Sequence, residues 1–402
     1  NVKAGQVETV TITVPTKYLA SYDYTNAKTY ILDQGTYYFT AAAGAHEAVN
    51  NFLTAQGYTT DNGMDAKGKG AVKTWALNSE QVKKYNLGLV LNSFDGVTFS
   101  VDNGKKITNV ADDADLNYWL PDTVTYLSRS DWDATYPINH NNIVQITENE
   151  ATNWYGYKID DSDKKDIWIA QMRGMDYTID NTGAEARNVD GKDTGVKFST
   201  EFIGVDQLNN INDEYWDTLV SGISVNEAIG AVIHGGSQSD VLTNVDNPIV
   251  GQNEGVNGIK GSVKSVDGTK DYHFNINSQT LLASSFNPEL AYEWGLVEGN
   301  SGLHLQKYHV WGTGLTQRRT PYNGRNYEYI SEDAMLTNRM GEGILKGCAE
   351  KGIMNGPKHM GFNDQEHNRA GISVYMNEQK MRETDLRGFQ GGLEDGGGLA
   401  VM

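Results

Sequence analysis

Residues 331–359, SEDAMLTNRMGEGILKGCAEKGIMNGPKH, decide the fold class. Leu336, Met340, Ile344 and Cys348 recur every four residues, a spacing that lines one face of a helix with apolar side chains. The pattern then breaks at GIMNGPKH, a short apolar run that passes into a polar loop, as a strand does at its end. Upstream, NPELAYEWGLVEGNSG opens with Asn287 in an N-cap position and Pro288 at the first helical turn, where a missing N–H does no harm. Leu290, Trp294 and Val297 predict an apolar stripe on that helix. Downstream, a helix is predicted through Leu386, Phe389 and Leu393, and GLAVM reads as a further strand. Strand, loop, helix, strand in this order argues a parallel α/β unit. In a barrel of such units the chemistry sits where strands end and loops begin, the position of Lys358 and His359.

The rest of the chain has a different texture. In residues 1–57, VETVTITVP alternates and TYILDQGTYYFTAAAG is an aromatic-rich run with a turn at Gly35, so the segment reads as β. It is too little for a free-standing sandwich and looks like the closing half of one. Residues 58–204 read as a connector of short strand-like pieces such as VTFSVDNGKKI and VTYLSRSDW between Asn/Asp/Gly turns. The loop DDSDKKD lacks the glycine and terminal glutamate of a calcium loop. Residues 205–402 carry the α/β pattern.

Composition narrows the partners. The 402 residues hold 33 Lys+Arg against 52 Asp+Glu, a net charge of −19, which repels nucleic acid and anionic lipid and favours a neutral or cationic partner. No run of eighteen apolar residues suggests a membrane span. The single cysteine, Cys348, has no partner for an internal disulfide and reads as a buried filler on its helix face. The opening NVKAGQVETVTITVP has neither a basic start nor an apolar core of a signal peptide. The reducing cytoplasm is the expected compartment, with export left open.

GPKHMGFNDQEHNR, residues 356–369, packs a lysine, two histidines, an aspartate, a glutamate and an arginine into one loop. As a metal site it would use His359, Asp364, Glu366 and His367, but the spacing matches no H-E-x-x-H or Cys/His pattern. No G-x-S-x-G marks a nucleophilic serine, and GTGLTQ and KGKG lack the strand and helix context of a phosphate loop. No metal or organic cofactor is implied. The third reading is the polar floor of a sugar pocket. Lys, His and Arg donate to vicinal hydroxyls, acidic neighbours accept from them, and NGRNYEYISED adds Arg325 in an aromatic, acidic loop.

These stretches resemble glycoside hydrolase family 3, in particular its β-glucosidase branch. TPYNGRNYEYISED, GPKHMGFNDQEHNR and MNEQKMRETDLRGFQGGLEDG follow the family's order, and NPIVGQNEGVNGI and LLASSFNPELAYEWG are similar to segments near the start of its (β/α)8 domain. The first 57 residues resemble the end of the family's fibronectin type III-like domain, placed before the barrel as in permuted members. The resemblance therefore implies an α/β plus β chain: the C-terminal half of a fibronectin type III-like β-sandwich over 1–57, a connector over 58–204, and the N-terminal portion of a (β/α)8 TIM-type barrel over 205–402. About two hundred residues stand where a whole barrel takes about 250, so an incomplete chain is expected.

The family's activity, as the resemblance implies it, is retaining hydrolysis that releases β-D-glucose from the nonreducing ends of β-glucosides or oligosaccharides. An aspartate nucleophile and a glutamate acid/base about 5–5.5 Å apart would flank the bond. By position both are expected outside this chain, and Ser130-Asp131-Trp132, although it spells the family's nucleophile tripeptide, lies far upstream of the place the family gives it. Arg325, Lys358, His359 and Arg369 match the glycone-binding set, and Glu254 stands where the family usually has aspartate. Met360 and Gly361 depart from the usual continuation after the Lys-His pair. The proline-glycine-histidine-glycine run of the N-acetylglucosaminidase branch is missing. The expected partner is a β-linked glucoside or oligosaccharide, with a homo-oligomer or further segments of the same protein as possible protein partners. A bacterial source fits the resemblance. The competing reading is a noncatalytic carbohydrate-binding or structural piece.

Overall fold

A computed structural model describes residues 3–85, 213–234, 239–264 and 275–402, apart from positions 28, 63, 368 and 370–373, together with short pieces between 99 and 126, at 193–197, at 210, at 268 and at 270–272. The calcium-like loop DDSDKKD and the tripeptide Ser130-Asp131-Trp132 lie outside the described residues. The chain divides into one unit of residues 1–140 with Tyr375–Glu383, and a second of residues 141–374 with Thr384–Met402.

In the first unit, β1 (Ser21–Asp23), β2 (Thr29–Leu32) and β5 (Lys83–Tyr85) form an antiparallel sheet in the order β1-β2-β5. A second pair joins β3 (Gly35–Thr40) to β4 (Val72–Leu77). Tyr22, Tyr30, Leu32 and Leu77 make the core. The predicted strand runs in TYILDQGTYYFT are present, but β2 and β3 pair with other strands rather than with each other. Two expectations are corrected. VETVTITVP lies in no strand, with Val7, Val10 and Ile12 exposed, since alternation makes a strand only where another strand takes up its backbone groups. AHEAVNNFLTA, inside the segment read as β, is helix α1 (Ala45–Ala55). From α1 the buried Asn51 accepts at Oδ1 from the backbone N–H groups of Lys69 and Gly70 at 2.9 and 2.8 Å. The glycines of KGKG, residues 67–70, thus serve a close backbone approach, because a Cβ on Gly68 would come within 2.6 Å of the Asn51 Cα.

Tyr375–Glu383 belongs to this first unit although it is distant in sequence. Its Arg382 pairs with Glu378 at 2.7 Å, both nearly fully buried. The Arg382 guanidinium lies 4.6 Å from the centre of the Tyr22 ring, a cation–π contact in a dry setting.

The second unit holds the parallel strands β6 (Gln252–Glu254), β7 (His309–Trp311) and β8 (Met354–Asn355), ordered as in the sequence. Helix α2 (Pro288–Leu305) separates β6 from β7, and α3 (Ala334–Glu350) separates β7 from β8. The α2 start follows its sequence: Asn287 Oδ1 accepts from the N–H groups of Glu289 and Leu290, ahead of Pro288. Asp333 caps α3 through the N–H of Leu336. Met340, Ile344 and Cys348 are fully buried with Val310 and Ile353, as the four-residue spacing predicts.

The expected α2 stripe is corrected. Trp294 is buried, but Leu290 and Val297 are each 41% exposed, and the covered face consists of Ala291, Gly295, Glu298, Gly299, Gly302 and Leu305. Glycine wins because the helix backbones nearly touch: a Cβ on Gly347 of α3 would stand 2.3 Å from the Tyr292 carbonyl oxygen. Such contact needs bare backbone rather than hydropathy.

Beyond the named strands the pairing continues through bridges from Gly314 to Tyr329 and to Lys358. GLAVM is not a strand, yet Met402 N–H donates to Pro357 O at 3.0 Å and Met360 N–H to Met402 O at 2.6 Å, which lays the chain end beside Lys358. Among the described residues this sheet stays open and no barrel closes.

Candidate functional site

The carboxyl ends of the three parallel strands, with the loops that follow them, bring four of the sequence-predicted residues into two linked groups. Glu254 is the last residue of β6. Lys358 follows β8, held by its N–H to Thr313 O at 3.0 Å and by its carbonyl accepting from Leu315 N–H at 2.7 Å. Its ammonium pairs with the Glu254 carboxylate; the lysine side chain is 1% exposed and the glutamate 45%. A lysine is rarely this buried without a partner. Here the partner carboxylate reaches the buried ammonium and itself stands half in solvent.

The second group centres on Arg325, at the head of a short turn over Asn326–Glu328. Its Nε pairs with the buried Glu328 carboxylate and lies 3.7 Å from Glu366 Oε1. Its Nη1 lies 2.8 Å from His359 Nε2. The other ring nitrogen, Nδ1, is 2.9 Å from the hydroxyl of the fully buried Tyr329. A guanidinium has only donors, so Nε2 accepts and the imidazole proton resides on Nδ1. Burial, with Arg325, Lys358 and Arg369 nearby, pushes His359 down to about 3, so the ring is neutral at ordinary pH. Burial also raises the Tyr329 phenol, which stays protonated. The peptide bond from Lys358 to His359 is cis.

Asn363 ties the loop to this core by donating to the Tyr329 hydroxyl at 2.8 Å and to Glu366 Oε1 at 2.6 Å. Arg369, more than half exposed, pairs with Glu366 at 3.2 Å on the outer rim. Asp364 pairs with Arg319 at 2.9 Å. The acidic side chains of the loop are thus engaged by cations and amides, and among the described residues no three His, Cys, Asp or Glu side chains gather as ligands.

Glu328, Tyr329 and Asn363 do not stand out in the sequence as site residues. Glu328 and Tyr329 follow Arg325 by three and four positions, the reach of a tight turn, which is the one local cue for them. Asn363 carries no cue, because its partners come from a different loop.

No family model matches the sequence. Over 123 residues the chain is 33% identical to a β-glucosidase of Bacteroides ovatus, covering 31% of this chain and 16% of that relative. Over 156 residues it is 31% identical to a protein of Emericella nidulans named a probable β-glucosidase, covering 39% of this chain and 18% of the relative. The chain therefore spans less than a fifth of these curated relatives in its matched part. The solved structure of a β-glucosidase from Paenibacillus barengoltzii aligns with 97% of this chain and 35% of its own, at a TM-score of 0.52 and 19% identity. That alignment speaks to the fold. Over part of its length the chain is similar to the β-glucosidases of glycoside hydrolase family 3, the resemblance its motifs carry.

Proposed function

We propose that residues 205–402 form the N-terminal portion of a (β/α)8 glycoside hydrolase domain and supply the glycone-binding part of a retaining β-glucosidase. The sequential order of β6, β7 and β8 with helices between them supports the barrel reading. Residues 1–57 would then be the closing half of a fibronectin type III-like domain and 58–204 a connector. The substrate is a β-linked glucoside or short oligosaccharide, entered from its nonreducing end.

One observation carries this reading: the site is dense in charge yet balanced. Glu254, Glu328 and Glu366 face Lys358, Arg325 and Arg369 in a closed set of pairs, while His359 is neutral. A balanced set offers strong donors and acceptors without a net field, which suits an uncharged, hydroxyl-rich ligand better than a phosphate or a uronate. Lys358 and Arg325 donate to sugar hydroxyls, Glu254 accepts, Arg369 closes the rim, and His359 belongs to the set through its contact with Arg325. Glu254 reaches one methylene further than the aspartate usual at this place, so the hydroxyl it meets is displaced by about 1 Å.

Lys358→Ala in the intact protein is expected to lower turnover of aryl β-glucosides by about a hundredfold or more, as the loss of a charged donor does, with the circular dichroism spectrum unchanged. Turnover within twofold of the parent would refute the pocket assignment. Binding of glucose without any turnover would instead favour the noncatalytic carbohydrate-binding reading.

A further inference from the structure

Tyr375–Glu383 sits in the first unit, gripped there by two stretches of chain that are remote from each other in sequence. On one side stand β1 and β2. β1 is an edge strand, whose outward N–H groups need partners, and the Tyr22 N–H donates to the Glu383 carboxylate, which also accepts from the Gln379 amide at 3.2 Å. The Tyr30 hydroxyl donates to Arg382 O at 3.3 Å, and the Tyr22 ring lies against the Arg382 guanidinium. On the other side stand residues 114–126. Ala114 O accepts from the Met376 N–H at 2.7 Å, and Asp115 Oδ1 accepts from the Tyr126 hydroxyl at 2.8 Å. The Asn377 side chain hydrogen-bonds the Tyr24 phenol close to Asp115. Met376, Asn377, Glu378 and Arg382 are all buried.

In sequence this segment comes just after the loop that ends in Arg369. The incoming end of that loop is tied by Lys358 N–H to Thr313 O and by Met360 N–H to Met402 O. Beyond the Arg369 N–H, which donates to Glu366 O at 3.4 Å, the next backbone hydrogen bond among the described residues is that of Met376. Arg369 itself is 57% exposed and pairs with Glu366, and an ion pair so open to water contributes little alone. A chain tied at both ends samples far fewer conformations than one tied at a single end. Resting, for its link to activity, on the sugar-binding reading above, we propose that Tyr22, Arg382 and Glu383 are positioning residues: the first unit grips Tyr375–Glu383 and thereby fixes the outgoing end of the loop whose rim is Arg369. The β unit is then a clasp on the site loop as well as a fold of its own.

Hydrogen exchange of the intact protein, read by mass spectrometry, tests the clasp without any appeal to a sugar. Glu383→Ala removes the acceptor of the Tyr22 N–H. Exchange is expected to quicken about tenfold over residues 375–383 and over 360–374, with α3 at the parent's rate. Glu383→Gln keeps an acceptor oxygen and should recover most of the difference. Faster exchange confined to 375–383, with 360–374 unchanged, would show that the contacts hold only their own segment and overturns the proposal. Should Glu383→Ala loosen α3 as well, the protein has lost its fold, and Tyr30→Phe takes its place. That variant removes the one hydroxyl that donates to Arg382 O, and it should quicken exchange over 360–374 about threefold; no change there is equally fatal.

Affinity for glucose, measured well below the melting temperature of each variant, then separates positioning from plain stability. Glu383→Ala should weaken binding about fivefold, and Glu383→Gln should restore it. In an Arg369→Ala background Glu383→Ala should add less than about twofold, since a residue that acts through another has no effect once the other is gone. A lower melting temperature with the parent's affinity would mean that the clasp stabilises the fold and positions nothing. A parent whose loop loosens on Glu383→Ala yet binds no glucose refutes the sugar reading and upholds the clasp.

Discussion

Two buried ion pairs, one in each unit, look alike on paper and serve opposite ends. Arg382 and Glu378 in the first unit are 6% and 4% exposed, and the Tyr22 ring covers the guanidinium. Lys358 and Glu254 in the second unit are 1% and 45% exposed. The first pair is sealed: it organises the segment Tyr375–Glu383 against β1 and β2 and has no face for a ligand. The second is open on its acidic side, so whatever enters meets a carboxylate backed by a buried ammonium. Burial of the cation is common to both. Exposure of the partner separates a staple from a binding group.

The comparison can be broken most sharply at the sealed pair. Glu378→Ala strands a buried guanidinium and should cost about 3–5 kcal/mol of stability, read from urea unfolding. A loss below about 1 kcal/mol would mean that water reaches Arg382 and that the two pairs do not differ in kind. At the open pair, Lys358→Met should cost only about 1–2 kcal/mol, because the half-exposed Glu254 recovers water. Equal losses at the two sites would remove the distinction.

A third buried acid sharpens the contrast by having no cation beside it among the described residues. Glu298 of α2 is fully buried, with its Oε2 accepting from Asn355 at 3.1 Å and from the Cys348 thiol at 3.3 Å. Burial drives it up to about 8 from an ordinary 4.5. Between these values the folded chain keeps a proton that the unfolded chain releases. Its contribution is therefore full below about pH 4.5, declines as pH rises through the window and is gone above about pH 8, with a slope of at most about 1.4 kcal/mol per pH unit. Urea midpoints near pH 5 and pH 8 measure it, and Glu298→Gln should flatten the difference. A parent with no decline in this range would place solvent or a cation beside Glu298.

Much of the second unit was legible because its signals are local. The Asn287 and Pro288 start of α2, the buried face of α3 and the polar loop after β8 each follow from spacing or capping chemistry within a few residues. Cys348 as a buried filler follows from the same helix face. What misled was hydropathy where packing is closest: on α2 the leucine and valine partly face solvent while glycines face α3. VETVTITVP shows the converse, a strand pattern without a strand, because alternation says which side chains could share a face and nothing about a partner. At the site, Arg325, Lys358, His359 and Arg369 could be picked out by residue type, but Glu328, Tyr329 and Asn363, which hold them, could not.

Taken alone, the order of residues determined which helices start where, which stretches are apolar on one side, and that basic and acidic groups crowd the loops after the strands. Those properties arise from bonds and side chains a few positions apart. Only the tertiary structure decided that Glu254 meets Lys358 from more than a hundred residues away, that Tyr375–Glu383 joins the first unit, and which nitrogen of His359 carries its proton. Such outcomes depend on which groups are shut away from water together, and desolvation is a property of the folded surroundings rather than of any residue.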